Sequence, residues 1–144
     1  MAAPRYLSVL EIQRLHEELM EADGAVSNVL DLGKLEGAGL RPGNAAYYNG
    51  ADLFAQAATL MGGIAMAHAF EDGNKRLALV AGTTFLWLNN IRIIADSIPF
   101  GEQIVNLVNR VDALDNAEER LAIWLRAHAT PVDLTPEQKQ TNSE

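Results

Sequence analysis

An all-α fold is the architecture to which this 144-residue chain points. Apolar residues recur at three- and four-residue intervals near both ends, and two central stretches of helix length are apolar on almost every side. No partnered pair of strands is visible. A chain of this length buries roughly two thirds of the surface it exposes when unfolded, so a single domain with a real core is feasible without metal or disulfide staples.

Ser8 precedes Glu11 by three residues, the spacing of a capping box, and Val9, Ile12, Leu15, Leu19 and Met20 follow at helical intervals. A first helix over about residues 8–22 is therefore expected, ended by Gly24. From Gly24 to Gly50 glycine and proline are frequent, so an irregular segment is expected, with a short helix only over Leu30 to Leu40. Ala51 to Ala67 reads as a helix packed on most sides, whose small side chains permit close neighbours. A second helix of this kind runs from Lys75 to Leu88 and stops at Asn89-Asn90. Ile91 to Ala95 is β-branched but lacks an obvious partner strand, so no sheet is expected. Glu102 to Val111 carries a helical stripe of Ile104, Leu107, Val108 and Val111. Asp115, with Glu118 three residues on, opens a last helix that buries Leu121, Ile123, Trp124 and Leu125 and ends near Ala129. One domain over residues 1–130 and a disordered, proline-containing tail over 131–144 complete the expected organisation.

Several function classes fall away on composition. With 11 Lys+Arg against 19 Asp+Glu the net charge is −8, and no basic run exists, which argues against direct nucleic-acid binding. Cysteine is absent, excluding disulfide scaffolds, Cys-ligated metals and thiol nucleophiles. The longest apolar stretches, Leu60 to Phe70 and Leu77 to Leu88, are shorter than the roughly 20 residues of a membrane span. No secretory signal is read at the N-terminus, and a cytoplasmic protein is the expectation.

Chemistry concentrates where the two apolar helices meet, in His68-Ala69-Phe70-Glu71-Asp72-Gly73-Asn74-Lys75-Arg76. A short connection between two core helices is expected to hold its ionisable side chains close to the core, where unpaired charge is costly. A helix starting near Asn74 or Lys75 turns free N–H groups and the positive end of its dipole toward the loop, making an anion site to which Lys75 and Arg76 add formal charge. Gly73 lets a ligand approach the backbone, and the Asn74 amide can bond both a phosphate and the loop. Asp72 beside such a cradle suits a hydrated Mg²⁺ bridging protein and phosphates, and His68 suits a base taking the proton of an incoming hydroxyl. These ingredients describe phosphoryl or nucleotidyl transfer.

The same nine residues resemble the signature of the Fic/Doc superfamily, seven of whose positions are specified here. The similarity extends to Leu15-His16, to Asp31-Leu32-Gly33-Lys34-Leu35-Glu36 and to Ala122-Ile123-Trp124-Leu125, covering roughly residues 6–128. The resemblance implies a compact helical bundle with two central buried helices joined by the motif loop, and enzymes that move part of ATP onto a protein hydroxyl. It assigns His68 as base, Phe70 as core anchor, Asp72 as the Mg²⁺-linked carboxylate, and Gly73, Asn74, Lys75 and Arg76 to the phosphates. Lys75 and Leu79 stand where AMP-transferring Fic proteins carry glycine and a second arginine, which points to the Doc (death-on-curing) branch. That branch implies a toxin kinase acting on elongation factor Tu, with ATP and Mg²⁺, and silenced by a Phd-like antitoxin. Leu30 and Leu77 depart from an arginine and a threonine common in Doc-like chains. Ser27 to Asp31 comes nearest to the inhibitory helix of some Fic proteins without matching it, so restraint is expected in trans.

Plainer readings stand beside these. The loop read without the signature is a charged turn with mutual ion pairs. His16 reads as a hydrogen-bonded packing histidine, His128 as a partner of a helix end, and Trp87, Trp124, Met61 and Met66 as core. Tyr47 and Tyr48 belong either to a flap in the loop Arg41 to Gly50 or to simple packing, and Lys34, Arg41 and Arg92 face either nucleotide or solvent. AMP transfer, a non-catalytic binding module favoured by Leu30, and more distantly a metal-dependent hydrolase are the alternatives.

Overall fold

The computed structural model of the chain describes residues 3–109 and 116–133. The first helix, α1 (Val9–Ala22), opens with the expected capping box: the Glu11 N–H donates to Ser8 Oγ at 3.1 Å and the Ser8 N–H to Glu11 Oε1 at 2.9 Å. It turns Ile12, His16 and Met20 inward.

The largest departure from expectation follows. Where an irregular segment with a short helix is expected, α2 (Leu32–Asn49) is a continuous 18-residue helix with Pro42 inside it. Asp31 caps its start, accepting the Lys34 N–H at 3.1 Å, and Gly50 ends it at φ 63°. Its glycines are poor helix formers taken singly, but small residues on α2 and on the helix after it let the neighbouring elements approach closely. A Cβ on Gly63 of the next helix, α3 (Leu53–Ala67), would lie 3.2 Å from Ala38 Cα, and one on Gly39 would lie 3.5 Å from Ile12 Cδ1. Tertiary packing of Leu35, Ala38 and Pro42 outweighs propensity here. Tyr47 and Tyr48 accordingly sit in the last turn of α2 rather than in a loop, exposed and in edge contact at 4.8 Å.

Two central helices form the core as expected: α3, capped by Asp52, and α4 (Asn74–Leu88). Beyond them come α5 (Ser97–Asn109), which starts ahead of the expected Glu102, and α6 (Ala117–Ala127). α3 is the hub, packing against α2, α4, α5 and α6. Its Leu60, Met61 and Ile64 are buried with Leu77, Phe85 and Leu86 of α4. Met61 fills the space left by Gly82, where a Cβ would lie 2.0 Å from its Cε. Arg41 is a strut from α2 to α6, donating to Glu118 at 2.7 and 2.9 Å and to the Thr59 carbonyl at 2.8 Å. Trp124 packs on Phe100 at 4.9 Å, and His128 ends α6 by donating from Nδ1 to the Trp124 carbonyl.

A small sheet corrects the expectation of none. The strand β1 (Ile91–Ile93) pairs antiparallel with β2 (Ala129–Pro131), Arg92 facing Thr130. Pro131 thus belongs to a strand and not to the tail. The remaining tail from residue 134, Val111 and the expected cap Asp115 lie outside the described residues. Among the described residues no helix is long and apolar enough to cross a membrane.

Candidate active site

The chain leaves α3 at His68, whose backbone is left-handed (φ 51°, ψ 40°), a conformation that stops the helix and turns the loop outward. Ala69 and Phe70 then dip back into the core, each 1% exposed. The backbone of Phe70 forms an isolated antiparallel bridge with Val29. Around it, the Leu30 and Asp31 N–H groups donate to the Ala69 carbonyl at 2.7 and 3.1 Å, and the Glu71 N–H donates to the Asn28 carbonyl at 3.0 Å. Asn28 Nδ2 adds a bond to Glu71 Oε2 at 2.7 Å. The α1–α2 connection therefore runs alongside the motif loop and braces it.

Asn74 closes the loop on itself. Its Oδ1 accepts the Phe70 N–H at 3.2 Å and its Nδ2 donates to the Phe70 carbonyl at 2.9 Å, which leaves one amide hydrogen for another partner. Gly73, at φ 80°, precedes α4 and provides no side-chain cap, so the first N–H groups of that helix lack one. Asp72 Oδ1 accepts the Gly73 N–H at 2.8 Å, and the exposed carboxylate keeps its second oxygen without a protein partner among the described residues.

Burial of the charges corrects the expectation that they press on the core. His68, Glu71, Asp72, Lys75 and Arg76 are all exposed, while Ala69, Phe70, Leu77 and Ala78 fill the inner side. The loop is a solvated rim on an apolar plug, which removes the desolvation cost that buried charges would carry. His68, Asp72, Gly73, Asn74, Lys75 and Arg76, the six residues singled out in the sequence, line one open cleft of about 310 Å³ together with Ala65 and Glu71. Leu77 is buried and Leu79 packs against the core, so both serve packing.

Residues that the sequence reading did not bring to the site also appear. Arg76 forms an ion pair with Asp23, just past the end of α1, and approaches Met20 Sδ at 3.9 Å. His16, read as a hydrogen-bonded packing histidine, is one: it lies fully buried under the loop and bonds Ser27 and the Asp72 carbonyl, partners the sequence did not name. Nothing local in the sequence signals either partnership, because each joins segments about fifty residues apart. Arg41, engaged by Glu118, is not part of the cleft.

Among the described residues no three His, Cys, Asp or Glu side chains converge into a protein-made metal cage. Two carboxylates line the cleft, Glu71, engaged by Asn28, and Asp72, and such a set suits Mg²⁺, which takes one or two carboxylates and completes its shell with other oxygens and water. Asp72, which keeps one oxygen without a protein partner among the described residues, is the donor better placed for it.

The model of the Fic/DOC family matches residues 6–86. A protein named Toxin Doc, from Mycolicibacterium smegmatis, is 36% identical over 115 residues, covering 76% of this chain and 87% of that protein. The protein named Protein kinase doc, from Escherichia phage P1, is 32% identical over 90 residues, covering 62% of this chain and 71% of its own. With over half of its length and the whole motif loop inside that match, the chain belongs to the Fic/DOC family, on its Doc side.

Proposed function

We propose that this chain is the toxin of a toxin–antitoxin module, transferring the γ-phosphoryl group of ATP to a hydroxyl of a target protein, elongation factor Tu being the expected target. The observation that carries this reading is the meeting, around one cleft, of an uncapped helix start, two cations and a histidine. The N–H groups from Asn74 onward, Lys75 and Arg76 hold the phosphate oxygens, and Asp72 is the residue that would hold a Mg²⁺, which would supply further charge neutralisation. His68, which has no hydrogen-bond partner among the described residues, takes the hydroxyl proton as the new O–P bond forms. The bond from the γ-phosphorus to its bridging oxygen breaks, and ADP leaves. Lys75 and Leu79, in place of glycine and a second arginine, support phosphoryl over AMP transfer.

The names borne by the relatives, a toxin and a protein kinase, agree with this reading. A Phd-like antitoxin is the proposed partner, and the exposed Val26, Leu30 and Leu32 beside the braced loop offer it apolar contact. The proposed place of action is the cytoplasm, where translation factors work.

The test is incubation of the full chain and elongation factor Tu with Mg·ATP labelled at either the γ- or the α-phosphate. Transfer of γ-label, reduced about 10²- to 10⁴-fold in His68→Ala, is expected. Transfer of α-label instead means adenylylation. A non-catalytic binding module is the second reading, favoured by the engagement of Arg76 with Asp23 and by the exposed Leu30; it predicts no label and equal growth effects of wild type and His68→Ala.

A further inference from the structure

His16 is buried completely, yet every polar atom of its ring is used. The ring lies on that of Phe70 with centroids 3.7 Å apart and planes at 20°. Nε2 is 2.7 Å from the carbonyl oxygen of Asp72, and Nδ1 is 2.6 Å from Ser27 Oγ. A carbonyl oxygen only accepts, so Nε2 carries a proton and donates it. In the neutral ring Nδ1 is then an acceptor, and the Ser27 hydroxyl donates to it.

The bonded carbonyl belongs to the peptide that enters α4. Because a peptide is planar, fixing the Asp72 carbonyl also fixes the opposite side of the same unit, the Gly73 N–H. That N–H is the donor to Asp72 Oδ1 at 2.8 Å, and the next carbonyl, of Gly73, accepts the Leu77 N–H at 2.9 Å and begins the helix. The ring also sets the space available there: a Cβ on Gly73 would meet His16 Nε2 at 3.3 Å and Met20 Sδ at 3.1 Å. One imidazole thus governs the plane of the peptide that carries the carboxylate and leads into the free N–H groups of the cleft.

We infer that His16 is a positioning residue for the phosphate-holding loop: its Nε2–H, oriented by Ser27, sets the Asp72–Gly73 peptide and through it aims the Asp72 carboxylate and the start of α4. It touches no substrate. The inference rests on the loop being the triphosphate-holding element proposed above. Simple packing is the competing role, and an isosteric apolar ring separates the two. His16→Phe keeps the ring and its stacking but removes both hydrogen bonds. His16→Gln loses the ring but carries an amide N–H to about the place of Nε2.

The experiment uses the full chain and two readouts. In the ligand-free state, long-range ¹H–¹⁵N spectra report the His16 tautomer, and amide hydrogen exchange reports residues 72–76. Mg·ATP is then titrated. The expected results are an Nε2–H tautomer, faster exchange at Gly73 and Asn74 in His16→Phe, about tenfold weaker Mg·ATP binding in that variant, and recovery to within about threefold in His16→Gln. An Nδ1–H tautomer overturns the inference. So does His16→Phe with wild-type exchange and affinity, or a His16→Gln variant as impaired as His16→Phe. If the wild type takes up no Mg·ATP, the triphosphate reading fails on its own, and the exchange pattern alone judges His16. Should His16→Phe not fold, Ser27→Ala replaces it, since it leaves the ring in place; unchanged tautomer and exchange at Gly73 there count against the inference.

Discussion

Asp23 and Arg76 set up a competition whose size follows from their surroundings. Both side chains are 49% exposed, so their mutual attraction is screened by water and falls within the 0 to about 1 kcal/mol typical of exposed pairs. On the proposed reading, a phosphate drawn to Arg76 competes with the Asp23 carboxylate for the same guanidinium charge. Replacing Asp23 by Asn removes the competing charge and is expected to tighten Mg·ATP binding by up to about fivefold, the equivalent of 1 kcal/mol. Stability should change little, because a carboxylate at the C-terminal end of α1 opposes the helix dipole by about 0.3–1 kcal/mol, which offsets the lost pair. Arg76→Ala works in the opposite direction, removing charge-assisted bonds of about 1.5–3 kcal/mol and weakening binding roughly 10- to 150-fold. Isothermal titration of wild type, both single variants and the double variant closes a mutant cycle. Asp23→Asn should lose its benefit in the Arg76→Ala background. Equal benefit in both backgrounds would refute the competition, leaving Asp23 as one more unit of distant negative charge. The gain should also shrink with added salt, as the screening length falls to about 8 Å near physiological ionic strength.

Phe70→Ala should empty the plug under the loop, costing about 3–5 kcal/mol and lowering Tm by roughly 2–4 °C for each, as followed by circular dichroism. Gly82→Ala should destabilise by about 1–3 kcal/mol in urea unfolding, because Met61 already occupies the space and is itself fully buried. Acid sensitivity should concentrate on two caps. Burial pushes the Asp52 carboxyl up, but the Ala55 N–H and Arg126 outweigh it and hold it below its ordinary value. For Glu11, burial likewise opposes, and the bonds from Ser8 and Arg5 win. A depressed carboxylate adds stability that is present above its unfolded pKa, about 4, and lost as pH falls through the folded value. Asp52→Asn, which keeps the capping oxygen, should therefore flatten the loss of stability below pH 5 in urea titrations at stepped pH, whereas Asp52→Ala should also lose about 0.5–2 kcal/mol at neutral pH.

How legible the fold was depended on whether its causes were local. The first helix announces itself because Ser8 and Glu11 satisfy its end within three residues, and the central pair because no other element buries so many apolar residues in a row. α2 hides for the opposite reason: Gly39, Pro42 and Gly43 read as punctuation until α1 and α3 are brought against them. β1 lacks a partner in the sequence because β2 lies on the far side of two helices. At the cleft, the residue types and their order were readable from His68 to Arg76, and all six named positions line it. Their exposure was not, because the plug formed by Ala69, Phe70 and Leu77 leaves the charged rim in solvent. His16 was readable as a hydrogen-bonded packing residue, but its partner Asp72, like the Arg76 partner of Asp23, lies across the fold and was not.

Whether the start of α4 grips a triphosphate is decided most directly by a crystal structure of the full chain with magnesium and a non-hydrolysable ATP analogue. The predicted result places the phosphates against the N–H groups from Asn74 onward, with Lys75 and Arg76 on their oxygens, Asp23 released and His68 facing the terminal phosphorus. A cleft without nucleotide, its Arg76 still paired with Asp23 at saturating analogue, would contradict it.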